Sequence, residues 1–364
     1  MTPTDPRPGA SPKSDTAIIW PSPAREAAFH RWLGEVEGPQ QLLSATLRPA
    51  SSDASFRRYF RIDAATGTRI IMDAPPDKEN CQPFVQVAGL MSAAGLKVPE
   101  ILAWDQAQGF ILLTDLGAKT LMQVMDPLHP EANLGLYLQA VDALINWQMA
   151  SRPGVLPPYD EALLRRELEL FPEWYLAQHR GVAVEGDVRR TLDEAFKLII
   201  AQNLNWPSVF VHRDFMPRNL MAPGDADPRL GVLDFQDAVY GPITYDIASL
   251  MRDAFLSWDE PFVLDVTIRY WQKARAASLP VGDDFGEFYR GVEWMGLQRH
   301  LKVAGIFARL TLRDGKPQYL ADTPRFIQYI RSTASRYREL KPLLRLIDQV
   351  EGIQDASGFA FGRV

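Results

Sequence analysis

The first third of the chain alternates apolar and polar residues, as β-strands with one buried face do. Between residues 41 and 74 the alternation comes in three bursts, which predict three antiparallel strands after a short helix around residues 24–36. Residues 63–68, DAATGT, contain the Gly and Asp of a hairpin turn between the second and third strands. A helix that ends at Gly95 and two runs rich in Ile and Leu, EILAWD and GFILLTDLG, follow. We expect five strands and one helix to form a small lobe.

From about Lys119 onward, the apolar residues recur at helical spacing. Tyr137, Val141 and Leu144, for example, fall on one face of a helix. The pattern is interrupted once, by the segments SVFVHRDFMPRNLM and RLGVLDFQDAVYGP, each typical of a short strand that ends in acidic residues. Helical patterns then resume and continue to a helix near Leu343. The second lobe is therefore predicted to be mainly helical, with its chemistry at the interruption.

The change of period sets the predicted domain boundaries. Residues 1–23 are rich in Pro and Ser and lack the apolar segment of a signal peptide, which predicts a disordered tail. Residues 24–117 form the predicted N-lobe, and residues 118–364 form the predicted C-lobe. A chain of 364 residues is long enough for two such lobes.

Composition narrows the partners and the compartment. The formal net charge of −6 argues against a nucleic-acid partner, which would require a basic face. No run approaches the roughly 18 consecutive apolar residues of a membrane helix, so we expect no membrane partner. The single cysteine, Cys81, cannot form an intramolecular disulfide, which suits a reducing compartment. These features predict a cytoplasmic protein, and the oligomeric state stays open, with a monomer favoured.

A set of polar residues marks the ends of the two strand-like segments. His212, Asp214 and Asn219 follow one predicted strand, and Asp234 follows the next. Phosphoryl transfer uses such a set, because one Asp can accept the proton of the attacking hydroxyl while an Asn and a second Asp hold Mg2+ through oxygen atoms. An HRD triplet alone would be weak evidence, but two motifs in this order match the catalytic and metal loops of protein-kinase-like enzymes. The sequence therefore predicts a kinase-type phosphotransferase.

The motifs HRDFMPRNLM and LDFQDAVYGP, together with SSDASFRRYFRI, resemble those of the aminoglycoside phosphotransferase family, small-molecule kinases that share the protein-kinase fold. The resemblance covers roughly residues 25–350 and is strongest to a branch of anomeric amino-sugar kinases. It implies an α+β, protein-kinase-like fold with a small β-rich nucleotide-binding N-lobe, which has one helix, and a larger, mainly helical C-lobe for catalysis and substrate binding. It also implies ATP and Mg2+ as cofactors. The implied reaction is phosphorylation of the C1 hydroxyl of N-acetylmuramate, N-acetylglucosamine or both, in peptidoglycan recycling.

The resemblance also implies roles for individual residues. Asp214 would be the catalytic base, Asn219 and Asp234 would be the Mg2+ ligands, and His212 would hold the loop. Protein kinases have a lysine where this loop has a methionine, and Arg218 could supply that positive charge instead. The nucleotide is expected to contact the loop between the first two strands and the segment that joins the lobes, namely Ser51, Ser52, Asp53, Ala54, Ser55, Leu113, Thr114 and Leu116.

The third strand departs from the family pattern. Met72 stands where a lysine would bind the α and β phosphates, and the following helix has no Glu or Asp to pair with such a lysine. We therefore expect a replaced arrangement, with Arg57 or Arg58, Arg69 and Lys78 as candidate cations. Alternation puts Arg57 and Arg58 on opposite faces of the second strand without indicating which face meets ATP. We include Arg58 among the predicted nucleotide contacts.

Four residues are predicted to contact the substrate: Asp237, Tyr240, Arg299 and His300. Each has a plainer alternative, because an Asp can cap a loop, a Tyr can pack in the core, and charged residues on a long helix usually form a solvated face. For Arg299 and His300, apolar residues on both sides favour a buried or pocket-facing position. An arginine there would suit the lactyl carboxylate of N-acetylmuramate.

Two other functions stay open, namely an aminoglycoside or other small-molecule hydroxyl phosphotransferase, and a catalytically inactive nucleotide-binding module with a regulatory role. Aminoglycosides are polycations, whereas residues 241–364 hold 17 Arg and Lys against 15 Asp and Glu, which favours a neutral or anionic substrate. Met72 supports the inactive module, and the intact set of Asp214, Asn219 and Asp234 argues against it. A protein kinase is disfavoured, because no long activation segment follows DFQDAVYGP.

Overall fold

The computed structural model describes residues 18–52, 56–225 and 227–353. The chain divides into two compact units. The first comprises the residues up to Val85 together with Pro99–Leu116, and the second comprises Gln86–Val98 and the residues from Gly117 onward. The predicted boundary between residues 117 and 118 is one residue away from the last of the three changes of unit, which falls between Leu116 and Gly117.

The first unit contains an antiparallel sheet of five strands with a helix packed on it. Its elements are α1 (Pro23–Gln40), β1 (Leu42–Ser52), β2 (Arg58–Ala64), β3 (Gly67–Asp73), β4 (Ile101–Asp105) and β5 (Phe110–Thr114), and the sheet order is β1-β2-β3-β5-β4. Gly67, whose φ is 89°, follows the two-residue turn between β2 and β3, which confirms the predicted hairpin. Helix α2 (Gln82–Ala93) begins in the first unit and ends in the second, just before Gly95.

Aromatic side chains from α1 and the sheet form the core of the first unit. Phe29 lies on α1, and its ring centroid is 5.4 Å from those of Phe60 on β2 and Phe110 on β5. All three are at most 3% exposed, and burial of each such side chain stabilises the fold by about 1.5–3 kcal/mol. Trp20, which falls in the predicted tail, joins this core with its ring centroid 4.8 Å from that of Phe29. The fold therefore includes the end of the segment that we predicted to be disordered.

The second unit is mainly helical, as predicted. Its helices are α3 (Leu121–Val124), α4 (Leu134–Met149), α5 (Glu161–Leu168), α6 (Gly186–Leu204), α7 (Thr244–Met251), α8 (Glu260–Ala276), α9 (Phe285–Leu312), α10 (Thr323–Arg336) and α11 (Lys341–Glu351), with a π-helix at Phe171–His179. Its short strands are β6 (Ser208–Val211), β7 (Leu220–Met221), β8 (Gly231–Val232) and β9 (Val239–Pro242). β6 pairs with β9 and β7 pairs with β8, so both strand-like segments of the sequence form strands. The predicted α+β class is confirmed.

Helix α9 is the long buried helix of the second unit. Trp294, Leu297 and Leu301 along it are at most 1% exposed. Gly305 lets α9 approach the residue before the π-helix, because a Cβ at this position would lie 2.3 Å from the backbone oxygen of Leu170. Several charged residues of α9 are buried together with these apolar residues. No helix within the described ranges is long and apolar enough to cross a membrane.

Candidate active site

The loop of residues 212–219, called here the catalytic loop, is fixed at its start by His212, which is fully buried. The Nε2–H of His212 donates to the carbonyl oxygen of Leu233 at 2.9 Å, and its Nδ1 accepts the N–H of Asp214 at 3.2 Å. These partners set the tautomer, because a carbonyl can only accept and an amide N–H can only donate. Burial lowers the pKa of His212, so the ring stays neutral. His212 thus ties the catalytic loop to the segment that carries Asp234.

The start of α7 supplies a second anchor for the loop. Asp246 accepts the backbone N–H groups of His212 at 2.7 Å and of Arg213 at 3.0 Å. Arg213 has a φ of 78°, which is unusual for a residue other than glycine, and these bonds help to hold it there. Burial raises the pKa of Asp246 to about 6, against the opposing effects of His212 and of the two backbone hydrogen bonds. No motif in the sequence indicates this bracing role.

The three residues predicted to carry the chemistry lie together. The β7–β8 pairing places Asn219 beside Leu233, whose N–H donates to the backbone oxygen of Asn219 at 2.9 Å. The Nδ2 of Asn219 donates to the backbone oxygen of Asp214 at 2.9 Å and to Oδ2 of Asp234 at 3.2 Å. Asp214 is half-buried, whereas Asp234 is exposed. One amide therefore links the loop of the predicted base to the predicted metal ligand.

The oxygen atoms of Asn219 and Asp234 fit the ligand preference of Mg2+. Asn219 uses its amide nitrogen for both bonds, so its amide oxygen is the atom that it would offer to a cation. Asp234 offers a carboxylate from a turn in which its φ is 62°, and Gln236 donates to its Oδ1 at 2.9 Å. Mg2+ is usually bound by one or two carboxylates and completes its coordination with water and substrate phosphates. An exposed carboxylate next to one amide oxygen is compatible with such a site.

Three further predicted residues lie around the catalytic loop. Arg218 is exposed, and its guanidinium stacks 4.6 Å from the ring centroid of Phe255. Asp237 is exposed, and its backbone oxygen accepts from Arg213 at 3.4 Å. Tyr240 is half-buried in β9, where its ring makes an edge contact with a buried phenylalanine of β6. The side chains of Arg218 and Asp237 are accordingly open to solvent.

The two predicted substrate residues on α9 are buried. Arg299 is 5% exposed, and its guanidinium carbon lies 5.2 Å from the ring centroid of Tyr245. His300 is 2% exposed, its Nε2–H donates to the backbone oxygen of Arg252 at 3.1 Å, and its ring stacks on Tyr329 at 4.5 Å. Burial and the charge of Arg252 hold the pKa of His300 well below its usual value. In contrast to the prediction, His300 offers no exposed edge to a substrate, because its ring is engaged in packing.

The residues predicted to bind the nucleotide belong mostly to the first unit. Residues 53–55 of this set lie outside the described part of the chain, and residues 51–52 form the end of β1. Leu113 is buried in β5, whereas residues 114–116 are half-buried where this unit ends. Their role in nucleotide binding stays a prediction.

The register of β2 and β3 decides which arginine shares a face with Met72. Tyr59 lies opposite Met72, whereas Arg58 lies opposite Asp73. Residues that face each other across an antiparallel pair point to the same side of the sheet. Met72 therefore shares its face with Tyr59. Arg57 is the residue before β2, and continued alternation predicts that its side chain points to the same side. Arg58 points to the other face, on which α1 packs.

On that other face Arg58 takes part in holding α1 to the sheet. Its guanidinium pairs with the buried carboxylate of Asp73 and lies 4.7 Å from the ring centroid of Trp20. Arg25 of α1 donates to the same carboxylate at 3.0 Å. The structure thus gives Arg58 a packing role and does not support the predicted contact with the nucleotide.

Arg57 is held by an acidic partner that the sequence did not indicate. The guanidinium of Arg57 lies 3.0 Å from the carboxylate of Glu79, and the two side chains are only 9% and 14% exposed. Glu79 also accepts the N–H of Phe56 at 3.2 Å. Of the other candidates, Arg69 donates to its own hairpin, and Lys78 is 53% exposed and 3.6 Å from the acid beside it. Although Met72 replaces the lysine, the chain therefore has an Arg–Glu pair, formed by Arg57 and Glu79. Glu79 lies three residues before the start of α2.

Together, the fold and the catalytic loop define a kinase-type phosphotransferase. Residues 46–281 match the phosphotransferase enzyme family (APH), to which the chain belongs. An N-acetylmuramate/N-acetylglucosamine kinase of Pseudomonas aeruginosa is 52% identical over 85% of this chain and 90% of the relative. A protein of the same name from Neisseria meningitidis serogroup B is 46% identical over 93% of this chain and 99% of the relative.

The likeness extends to solved structures. The ADP-bound aminoglycoside phosphotransferase APH(2'')-Ib matches with a TM-score of 0.53 and 12% identity over 82% of this chain and 97% of that chain. At this identity the likeness shows the fold alone. It confirms the predicted protein-kinase-like fold, with a β-rich unit and a mainly helical unit.

Proposed function

We propose that this chain is an ATP-dependent kinase that phosphorylates the C1 hydroxyl of N-acetylmuramate, N-acetylglucosamine or both, in peptidoglycan recycling. The observation that carries the proposal is the amide of Asn219, which bonds both to the backbone of Asp214 and to the carboxylate of Asp234. A base and a pair of oxygen donors are thereby held side by side, as phosphoryl transfer to a hydroxyl needs. The two relatives named as N-acetylmuramate/N-acetylglucosamine kinases support the choice of substrate.

The proposed mechanism is direct in-line transfer with Asp214 as the general base. Its carboxylate would accept the proton of the C1 hydroxyl as that oxygen bonds to the γ-phosphorus and the bond to the ADP oxygen breaks. The ring of His212 accepts the N–H of Asp214, and the amide of Asn219 donates to the carbonyl oxygen of Asp214. The backbone of the proposed base is therefore held on both sides. Asn219 and Asp234 are the residues proposed to hold Mg2+, which would neutralise charge on the phosphates when bound.

Asp237 and Tyr240 are the residues that we propose as sugar contacts, because one is exposed and the other half-buried near the catalytic loop. Arg218, exposed on the same loop, is proposed to supply positive charge to the phosphates. Arg299 is 5% exposed and packs on Tyr245, and we do not include it among the proposed sugar contacts. The likeness to APH(2'')-Ib, at 12% identity, carries no information on the acceptor and so does not favour the aminoglycoside alternative.

The proposal includes ATP and Mg2+ as cofactors and a small amino sugar as partner, in a cytoplasmic monomer. ADP bound to a solved structure of the same fold supports an adenine nucleotide. Cys81 is a buried free thiol, which suits a reducing compartment.

The test of this function is 31P NMR of the purified protein with MgATP and, in parallel, N-acetylmuramate, N-acetylglucosamine or kanamycin. A new sugar phosphate signal coupled to the anomeric proton is the expected result with one or both amino sugars. Phosphorylated kanamycin would establish the aminoglycoside alternative. ATP binding without product from any acceptor would favour the inactive module.

We further propose that Arg57, held by Glu79, replaces the missing lysine of the third strand in binding the ATP phosphates. Arg57→Met is expected to weaken binding of ATP by about 10- to 100-fold, since hydrogen bonds to charged groups contribute roughly 1.5–3 kcal/mol each. Binding of adenosine should change little, because adenosine has no phosphate. Isothermal titration of both ligands measures the difference.

Arg58→Met is the matched control for Arg57→Met, because the two arginines are adjacent and are expected to point to opposite sides of the sheet. It is expected to lower the thermal midpoint, since Arg58 pairs with buried Asp73, while the ratio of ATP to adenosine affinity stays unchanged. If the two variants lowered that ratio equally, or if Arg57→Met left it unchanged, Arg57 would not be the replacement cation.

A further inference from the structure

Glu167, at the end of α5, contacts the catalytic loop although nothing in the sequence marked it. Its side chain is 5% exposed. Oε1 of Glu167 accepts from Nη2 of Arg213 at 2.5 Å and from Nζ of Lys302 at 2.9 Å, and Oε2 accepts the hydroxyl of Tyr159 at 2.5 Å. One buried carboxylate therefore binds an arginine of the catalytic loop, a lysine of α9 and the tyrosine before α5.

The charges of this cluster depend on one another. Burial by itself would raise the pKa of Glu167, but the charges of Lys302 and Arg213 outweigh it and lower the pKa to about 2. Burial would likewise lower the pKa of Lys302, and the charge of Glu167 raises it instead. All three groups are therefore ionised at neutral pH. Removing the anion would leave a buried lysine and a half-buried arginine without their shared counter-charge, which is strongly unfavourable.

Arg213 transmits this arrangement to the predicted base. With a φ of 78°, it turns the chain between buried His212 and half-buried Asp214. Its N–H is bonded to Asp246 and its guanidinium to Glu167, so both the backbone and the side chain of this residue are held. A residue in the left-handed region keeps that conformation only when its surroundings fix it. Glu167 is accordingly one of the groups that hold the residue before Asp214.

Tyr159 holds Glu167 from the other side. The N–H of Tyr159 donates to the backbone oxygen of Tyr240 in β9 at 2.8 Å. A Cβ at Gly241 would lie 2.5 Å from the Cβ of Tyr159, so only glycine permits this close approach. β9 also pairs with β6, which is the strand that leads into the catalytic loop. Tyr159 and the catalytic loop are therefore both anchored to the β6–β9 pair.

We propose that Glu167 is a positioning residue for phosphoryl transfer. Through Arg213 it sets the backbone turn that presents Asp214, and its pairing with Lys302 ties that turn to α9. The inference rests on the proposed function for its effect on turnover, whereas its effect on the loop conformation can be measured without a substrate.

Glu293 of α9 provides a matched control. Its side chain is 4% exposed, its Oε1 accepts from Arg252 at 3.0 Å and from Arg336 at 2.8 Å, and its Oε2 accepts the hydroxyl of Tyr337 at 2.5 Å. This arrangement repeats that of Glu167, but none of these three partners belongs to the catalytic loop. A glutamine at either position keeps the size of the side chain and one accepting oxygen, and it removes the charge.

The experiment compares Glu167→Gln with Glu293→Gln in the full chain. Glu167→Gln is expected to lower kcat for phosphorylation of N-acetylglucosamine by about 10- to 100-fold, because a small misplacement of a catalytic group costs up to that order, while KM for the sugar changes by less than about threefold. Glu293→Gln should change kcat by less than about threefold, even where both variants lose a similar amount of thermal midpoint. Hydrogen exchange of the peptide that contains residues 212–214 should be faster only in Glu167→Gln.

Equal losses of kcat in the two variants would assign the effect to general destabilisation and overturn the proposal. So would wild-type kcat together with wild-type exchange of residues 212–214 in Glu167→Gln. A wild-type protein that phosphorylates neither amino sugar would refute the proposed function instead, and the exchange comparison would still decide whether Glu167 positions the loop.

Discussion

Replacing Asp214 with alanine should lower kcat by about two to four orders of magnitude, the usual cost of losing a general base, while ATP binding persists. The reason that binding should survive lies in the main chain. His212 and Asn219 contact the N–H and the carbonyl oxygen of Asp214, and truncation of the side chain removes neither group. The catalytic loop should thus keep its conformation while the proton acceptor is lost. Steady-state release of ADP gives kcat, and isothermal titration gives the affinity for ATP.

Asp265→Ala is a suitable control for this experiment, because the side chain of Asp265 on α8 is 44% exposed and pairs with Arg269 of the same helix. It removes the same charge and should leave kcat and ATP binding unchanged. Asp214 would lose its assignment as the base if Asp214→Ala retained kcat within about tenfold of the wild type, a loss well below the usual range. If ATP binding and thermal midpoint fell together with kcat, the loop would have lost its conformation, and the rate would not report on the base.

The catalytic loop could be predicted from the sequence because its chemistry is local. Asp214 and Asn219 are five residues apart on one loop, and Asp234 follows the next strand segment, so the motif spacing alone indicates that they meet. The structure adds how they meet, through the amide of Asn219 and through the ring of His212 on the carbonyl of Leu233. At the catalytic loop, the residue spacing in the sequence and the hydrogen bonds in the structure bring the same residues together.

The supports of the loop other than His212 could not be predicted, because they come from distant parts of the chain. Glu167 lies 46 residues before Arg213, and Asp246 lies 34 residues after His212. Nothing in the pattern around Glu167 distinguishes it from a solvated acid on an amphipathic helix. Only the packing of α5, α7 and α9 brings these charges to the loop, and packing at such separations leaves no periodic signal in a single sequence.

The choice between Arg57 and Arg58 could not be made from the sequence for a different reason. Alternation predicts that the two side chains point to opposite sides, and in the structure they have different partners, Glu79 for Arg57 and Asp73 for Arg58. It does not say which face α1 covers, and that depends on the pairing of Arg58 with Asp73 and on the position of Trp20. Glu79 escaped prediction for a related reason, because the acidic partner lies in the turn before α2 and not within the helix.

Replacing Asp234 with alanine should weaken ADP binding in the presence of Mg2+ by about 10- to 100-fold, corresponding to the roughly 1.5–3 kcal/mol of a hydrogen bond or contact to a charged group. The carboxylate would act on the phosphates only through the metal, since by itself it repels them. In EDTA the variant should therefore bind ADP as well as the wild type or slightly better. Titration of ADP in Mg2+ and in EDTA gives the Mg2+ dependence for each protein.

Asp237→Ala sharpens this test, because Asp237 is another exposed acid three residues further along the same loop. The substitution changes the charge by the same amount, but as a proposed sugar contact Asp237 should affect KM for the sugar and leave the Mg2+ dependence of ADP binding intact. Equal Mg2+ dependence in Asp234→Ala and the wild type would exclude Asp234 as a ligand. An equal loss in both variants would point to the summed negative charge of the loop, and coordination by Asp234 would then not be needed to explain how the metal binds.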